Sequence, residues 1–178
     1  MTSFPSSVTR YWVLAAQTWA QALYHTTLRY FPGMWTLVDS RERFDFLVQY
    51  DRLPDVTFVL HWHWLVPAVY VQENVTIGFH SSPLPKFRGG SPIQNQLKRG
   101  ILDTMLTAFR LDAGLDTGPI LSQMPLSLRG SRDEVLERIG GHVARMMPRL
   151  VAGAYEERPQ SGENSFYTRK DAADFVWA

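Results

Sequence analysis

The chain has 178 residues, 45% of them hydrophobic and 13% aromatic, which fits one globular domain with a sizeable core. Its formal net charge is +1, so no overall field attracts nucleic acid or an anionic membrane. The absence of cysteine excludes disulfides, a thiol nucleophile and a thiolate metal site, and it suits a reducing compartment.

The first half of the chain alternates predicted strands and helices. Apolar and β-prone runs predict strands, and apolar residues spaced along one helical face predict the helices between them. The strands are expected at 11–16, 34–38 and 56–60, and the helices at 18–31 and 41–50. Pro32 and Gly33 provide the stop signal for the first helix.

The second half continues the alternation. Pro67 indicates a turn or short helix, strands are expected at 75–79, 105–109 and 120–124, and helices at 91–98 and 131–150. The last helix has the clearest pattern, because Ser131 and Glu134 form a predicted capping box before a regular apolar face. Gly140 and Gly141 predict a kink or a close packing contact within it.

This order of elements predicts the fold class. Alternating strands and helices indicate an α/β, Rossmann-like fold, in which helices cover both faces of a mostly parallel sheet. One catalytic domain is expected over residues 1–158, with a tail over 159–178 that docks on the core or on a partner. The apolar runs are too short or too interrupted for a secretory leader or a membrane span, so a soluble cytoplasmic protein is expected.

Polar and aromatic residues collect where predicted strands end. His61 to Trp64 follow the third strand, His80 ends the fourth, and Asp112 to Asp116 follow the fifth. Ligands of open α/β sheets bind at such carboxyl ends, whereas the first turn lacks both the dinucleotide fingerprint and the phosphate loop. His61 and His63 would point to opposite faces of a continuing strand, so no metal site is expected. Core burial is the simpler explanation for His61, and it competes evenly with ligand contact for Trp62 and Trp64.

Four segments together resemble the signature of folate-dependent formyltransferases. They are His80, Pro83 to Pro85, Arg88 to Gln94, and Asp112 to Gly118. The resemblance is strongest between Val56 and Gln123. It implies a formyltransferase fold and an enzyme that moves a formyl group from 10-formyltetrahydrofolate to a primary amine.

The resemblance also implies residue roles. His80 would hydrogen-bond the developing oxyanion or manage the proton of the amine, and Asp116 would orient the imidazole and stabilise its charged form. Two positions before the histidine, where the family has an asparagine that donates to the formyl oxygen, this chain has Gly78. Candidate substitutes are Gln94, Asn95 and His63, and the sequence does not choose between them.

Further sites follow by position in the family pattern. The pterin is expected between two loops, formed by Trp64, Leu65 and Val66 and by Asp112, Ala113, Gly114 and Leu115. The substrate is expected near Lys86, Arg88, Gly89 and Gly90, where Lys86 or Arg88 would bind a phosphate. The alternative for these two cations is a solvated basic rim.

The acceptor is expected to be a small molecule, most closely a nucleotide-linked amino sugar, because the pattern after the histidine fits the sugar-nucleotide branch. Methionyl-tRNA is disfavoured by the nearly neutral charge and by the absence of a second domain from this sequence. A carrier-bound amino acid or an antibiotic precursor is an alternative acceptor. A non-catalytic binding module is the alternative from another class, because Gly78 replaces the asparagine. No nucleic acid, membrane or metal partner is expected, and a homodimer is possible.

Overall fold

A six-stranded sheet forms the centre of the computed structural model, which describes residues 8–177. The strands of this sheet are β1 (Arg10–Leu14), β2 (Met34–Val38), β3 (Val56–Val59), β4 (Val75–His80), β6 (Asp103–Arg110) and β7 (Ile120–Ser127). Two short strands, β5 (Arg88–Gly89) and β8 (Phe166–Tyr167), form a separate two-stranded sheet. The helices are α1 (Thr18–Thr26), α2 (Arg41–Tyr50), α3 (Ala68–Glu73), α4 (Pro92–Leu97) and α5 (Arg132–Val151). Predictions for residues 1–7 and 178 lie outside the described residues.

The sheet has the strand order β2-β1-β3-β4-β6-β7. Strands β1 to β4 pair with one another in parallel, whereas β6 runs antiparallel to both β4 and β7. The predicted mostly parallel α/β fold is therefore confirmed, with a reversal at β6. Because β3 and β4 are adjacent and parallel, the segments that follow them emerge at the same edge of the sheet.

Side chains alternate between the two faces of the sheet, and helices cover both faces. On β1, Tyr11 and Val13 pack into the cluster that includes α1 and α5, while Trp12 and Leu14 pack into the cluster that includes α2 and α3. All four side chains are buried. Burial on both faces explains why β1 is continuously apolar rather than alternating in sequence.

The predicted element bounds agree with the structure at β2 and α2, and differ elsewhere by a few residues. The predicted first helix is divided, because Thr27 leaves helical geometry and a 3-10 turn follows at Leu28–Tyr30. The predicted capping box of Ser131 and Glu134 is present at the start of α5. The glycine pair does not interrupt this helix, and a side chain at Gly140 would first meet Leu23 of α1, so this position is a packing contact.

The C-terminal segment folds back over the loop that follows β4. Strand β8 pairs in parallel with β5, and this places Tyr167 beside Gly89. Gly89 has a φ of 95°, and a side chain there would strike the carbonyl oxygen of Tyr167, so only glycine fits. Trp177 packs against the main core. Within residues 8–177, no helix has the length and apolar character needed to cross a membrane.

Candidate active site

A cavity of about 750 Å³ lies at the carboxyl ends of β3 and β4. Its walls come from the loop after β3, the end of β4, the loop and start of α4, the end of β6 with the loop that follows it, the first turns of α5, and the C-terminal segment. The segments come from the middle of the chain, from α5 and from the C-terminal end. The parallel pairing of β3 with β4 and the return of the C-terminal segment bring them together.

His80 ends β4 and lines this cavity. The side chain is buried, and its Nε2 lies 2.7 Å from the carbonyl oxygen of Phe87. Because a carbonyl oxygen only accepts hydrogen bonds, Nε2 must carry the proton and donate it. In the neutral ring Nδ1 is then unprotonated, and it lies 3.7 Å from Oδ2 of Asp116.

Asp116 lies in the loop between β6 and β7, where it has a left-handed φ of 55°. Its Oδ2 accepts a hydrogen bond of 2.7 Å from the backbone N–H of Gly89. The side-chain amide of Gln160 donates to the backbone carbonyls of Asp116 and Gly118, at 2.9 and 2.7 Å. The C-terminal segment therefore holds the loop that presents this carboxylate.

The arrangement suits proton transfer at Nδ1 of His80. A proton taken up there would lie between the imidazole and the carboxylate of Asp116, and the negative charge would stabilise the imidazolium. The bond from Nε2 to Phe87 fixes the ring orientation independently of that proton. The structure thus brings together the two residues that the sequence motifs predicted as a pair.

Gly78 lines the same cavity two residues before His80, but the space beside it is occupied. A Cβ atom at Gly78 would lie 2.5 Å from Cδ1 of Leu111 and 3.0 Å from Cε1 of Phe109. Leu111 and Phe109 therefore fill the volume that a longer side chain would need. The neighbouring side chains thus pack into the space beside the glycine that stands in place of asparagine.

The three predicted substitutes for that asparagine lie in different environments. Gln94 lines the cavity. Asn95 is fully buried, and its Nδ2 lies 3.0 to 3.2 Å from the carbonyls of Gly90, Ser91 and Thr168. His63 also lines the cavity, and its Nε2 lies 2.8 Å from Nε2 of Gln17. Of the two amide residues, Gln94 lines the cavity and Asn95 does not.

The predicted pterin loops contribute unequally to the cavity wall. Trp64, Leu65, Val66 and Leu115 line it. Asp112 instead organises its own loop, because its Oδ1 accepts hydrogen bonds from Gly114 N at 3.0 Å and Thr117 Oγ1 at 2.6 Å. Ala113 is exposed and, like Asp112 and Gly114, does not line the cavity.

The predicted phosphate-binding cations point elsewhere. Lys86 pairs with Glu163 at 3.0 Å, and the guanidinium of Arg88 donates to Oε1 of Gln160. Neither residue lines the cavity, whereas Gly89 and Gly90 do. The geometry therefore gives Lys86 and Arg88 a role in holding the C-terminal segment and does not support their predicted contact with a phosphate.

His61 and His63 come together, contrary to the expectation that they face opposite sides. That expectation assumed a continuing strand, whereas β3 ends at Val59 and His61 adopts a left-handed φ of 52°, which turns the chain. Their ring centres lie 5.7 Å apart, and both line the cavity. The His61 side chain is open to the cavity rather than in the core, yet lost hydration, followed by repulsion from neighbouring cations, lowers its pKa to about 4.

Two arginines in the cavity wall were missed by the sequence reasoning. Arg132 is the first residue of α5, and Arg169 follows β8. Neither belongs to a local motif, and their association depends on the return of the C-terminal segment, so no sequence signal pointed to them. Trp62, by contrast, divides its contacts between the cavity and Phe44 of α2, where the ring centres are 6.3 Å apart.

Comparison with known proteins agrees with this geometry. A family model described as formyl transferase matches residues 45–149, more than half of the chain. The chain therefore belongs to the formyl transferase family. It is 36% identical over 107 residues to the methionyl-tRNA formyltransferase of Halorhodospira halophila, covering 57% of this chain and 34% of that protein. It is 32% identical over 136 residues to the methionyl-tRNA formyltransferase of Pseudomonas fluorescens, and the match covers 70% of this chain and 43% of that protein.

Solved structures show the same fold. The methionyl-tRNA formyltransferase from Clostridium thermocellum superposes with a TM-score of 0.77 at 25% identity, covering 90% of this chain and 72% of that one. The formyltransferase PseJ from Anoxybacillus kamchatkensis superposes with a TM-score of 0.72 at 19% identity, covering 93% of this chain and 89% of that one. The chain spans between about a third and two fifths of the two sequence relatives named above.

Proposed function

We propose that this protein is an N-formyltransferase that moves a formyl group from 10-formyltetrahydrofolate to a primary amine. The observation that carries the proposal is the pair of His80 and Asp116, 3.7 Å apart, in a cavity of a formyl transferase family member. An imidazole with a free Nδ1 beside a carboxylate is suited to accept the proton that an amine must lose during acyl transfer.

The cavity fits a folate. Trp64, Leu65 and Leu115 expose large apolar side chains at its edge, and Val66 adds a fourth apolar residue. A flat heterocycle needs such an apolar slot with a few polar groups. The donor would supply the formyl group, and these residues would hold its ring system. The PseJ structure, which contains tetrahydrofolate, supports this choice of donor.

The side chains divide the chemistry between proton and oxyanion. His80 takes up the amine proton at Nδ1, and Asp116 stabilises the resulting positive charge. As the bond between the formyl carbon and N10 of the donor breaks, the same proton passes to N10, and tetrahydrofolate leaves. Negative charge develops on the formyl oxygen and requires a hydrogen-bond donor. Gln94 is our candidate for that donor, because this residue lines the cavity while the amide of Asn95 is used by three carbonyls.

For the acceptor we propose a small-molecule amine, first a nucleotide-linked amino sugar. The PseJ structure supports this class, since that protein was solved with UDP-4,6-dideoxy-4-formamido-L-AltNAc. A second candidate is methionyl-tRNA, which is favoured by sequence identities of 36% and 32% to methionyl-tRNA formyltransferases. The nearly balanced charge of the chain favours the first candidate.

The described contacts support the proposed domain organisation, with a catalytic domain over residues 1–158 and a tail over 159–178. In the tail, Ser165 Oγ accepts the N–H of Phe87 at 2.9 Å, and Lys98 pairs with Asp174 at 2.6 Å. We propose that the tail completes the site. A homodimer and a cytoplasmic location stay predictions.

The test mixes the protein with 10-formyltetrahydrofolate and, separately, a panel of nucleotide-linked amino sugars and methionyl-tRNA. Mass spectrometry should show an acceptor heavier by one carbonyl. His80→Ala should abolish transfer and leave donor binding within about twofold, and Asp116→Asn should lower kcat by roughly 100-fold or more, because the imidazolium loses its counter-charge. Tight donor binding without product from any amine would contradict the enzyme and favour the binding module.

A further inference from the structure

We propose that one end of the cavity is a phosphate subsite, formed by Arg132, Arg169 and the neighbouring His63, which holds a phosphate group of the acceptor. The inference rests on the proposed function only in assigning the phosphate to the acceptor. The subsite itself follows from the charges in the cavity wall.

Arg169 is held at the cavity by the backbone on either side of it. Its Nη2 donates to the carbonyl oxygen of His63 at 3.1 Å, which links the C-terminal segment to the loop after β3. Its side chain also lies close to Gly90, since a Cβ at Gly90 would meet Cγ of Arg169 at 2.8 Å. One guanidinium nitrogen is thus used for positioning, and the other donors are available to a ligand.

Arg132 adds a second guanidinium at the first residue of α5. The nearest carboxylate is that of Asp133, at 3.8 Å, and this side chain is 93% exposed. The next acidic residue, Glu134, uses its carboxylate to cap the helix through Ser131. Neither acid therefore neutralises Arg132 inside the cavity.

The charges in the cavity wall do not balance. Asp116 is the single carboxylate among the described residues that line it, and it already faces His80. The same wall holds two arginines, Arg132 and Arg169, and two histidines, His61 and His63. The same field acts on His61, since repulsion from His63, Arg132 and Arg169 adds to lost hydration in lowering its pKa. A bound anion would relieve this imbalance.

Phosphate is the anion that best matches these groups. Two guanidinium forks can each give two parallel hydrogen bonds to phosphate oxygens, and a histidine can add another. The cavity also has room for such a group, because its volume is about 750 Å³. Lys86 and Arg88, which the sequence suggested for this role, are used outside the cavity.

The binding test measures inorganic pyrophosphate by isothermal titration calorimetry with the full chain. Arg169→Gln and Arg132→Gln should each weaken binding about tenfold or more, and the double variant should abolish measurable binding. Arg145→Gln is the matched control, because Arg145 is an exposed arginine on the same helix whose contact is His142. Its affinity should stay within twofold. Equal affinity in the wild type and the double variant would overturn the subsite, provided that circular dichroism shows both to be folded.

The kinetic test identifies the source of the phosphate. Arg169→Gln should raise KM for a nucleotide-linked amino sugar about tenfold and leave KM unchanged for the same amino sugar without its nucleotide. A raised KM for the folate donor alone would assign the site to the donor carboxylates, and a raised KM for methionyl-tRNA alone would assign it to RNA; both results overturn the proposal. If no amine is formylated, loss of pyrophosphate binding in the variants still supports the subsite while the proposed function fails.

Discussion

The substitution Gly78→Asn tests whether Leu111 and Phe109 occupy the volume that an asparagine side chain would need at this position. The new Cβ would lie 2.5 Å from Leu111 Cδ1 and 3.0 Å from Phe109 Cε1. Since Gly78 is buried on β4, the substitution is an overpacking change, and we expect it to lower the free energy of unfolding by about 1 to 3 kcal/mol. Leu111→Ala removes the closer contact and should restore part of this loss.

Urea unfolding of the wild type, both single variants and the double variant measures the coupling between the two positions. We expect a coupling free energy of about 1 kcal/mol or more, because the two side chains compete for one volume. Additive effects would show that Leu111 does not close the position.

Formyl transfer by the same variants then tests the chemistry. In Gly78→Asn with Leu111→Ala, an amide beside His80 should raise kcat by on the order of 100-fold, if the oxyanion lacks one donor. Gly78→Ala with Leu111→Ala is the control, because it relieves the same crowding without adding an amide. Equal kcat in these two double variants would refute the idea that a donor is missing and would point to a substitute such as Gln94.

Two further predictions concern stability. Burial raises the pKa of Tyr70 to about 12, although its hydrogen bond of 2.6 Å to Thr57 acts to lower it. The neutral phenol is therefore favoured in the folded state, and its contribution to stability is fully present below pH 10. We expect this contribution to be lost between pH 10 and 12, which lowers the free energy of unfolding by up to about 2.7 kcal/mol. Urea unfolding of Tyr70→Phe should show less of this alkaline loss, and an unchanged pH slope would contradict it. Asn95→Ala should cost about 1 to 3 kcal/mol and speed hydrogen exchange at Tyr167 and Thr168 before the sheet opens, because the carbonyls of Gly90, Ser91 and Thr168 lose the side-chain amide that links them. Gln94→Ala, at the neighbouring cavity-lining position, should leave both measurements unchanged.

The sequence predicted those parts of the fold that depend on local patterns. The bounds of β2 and α2 follow from apolar periodicity, and the start of α5 follows from the pairing of Ser131 with Glu134. The spatial pairing of His80 with Asp116 followed from the family motifs. These features are encoded within a few residues or within a demanding pattern.

The features of the fold and site that were not predicted depend on contacts between distant residues, which leave no local pattern in the sequence. Strands β5 and β8 are two residues long, too short to show a period, and 78 residues separate their paired positions. The association of Arg169 with the cavity depends on that pairing. The turn at His61 also had no sequence signal, because a histidine with positive φ is uncommon and lies here at the end of an apolar strand.

The pairing of β5 with β8 has a consequence for the order of folding. The strands β1 to β4 are complete once residue 80 is in place, but Gly89 finds its partner strand only when Tyr167 arrives. Closing so long a loop costs conformational entropy, and a pairing of two residues offsets little of that cost. We therefore expect this pairing to form late in folding. During synthesis, a chain with its sheet assembled would therefore still lack a finished ligand cavity, and the ability to bind a ligand would mark the last step of maturation rather than the first.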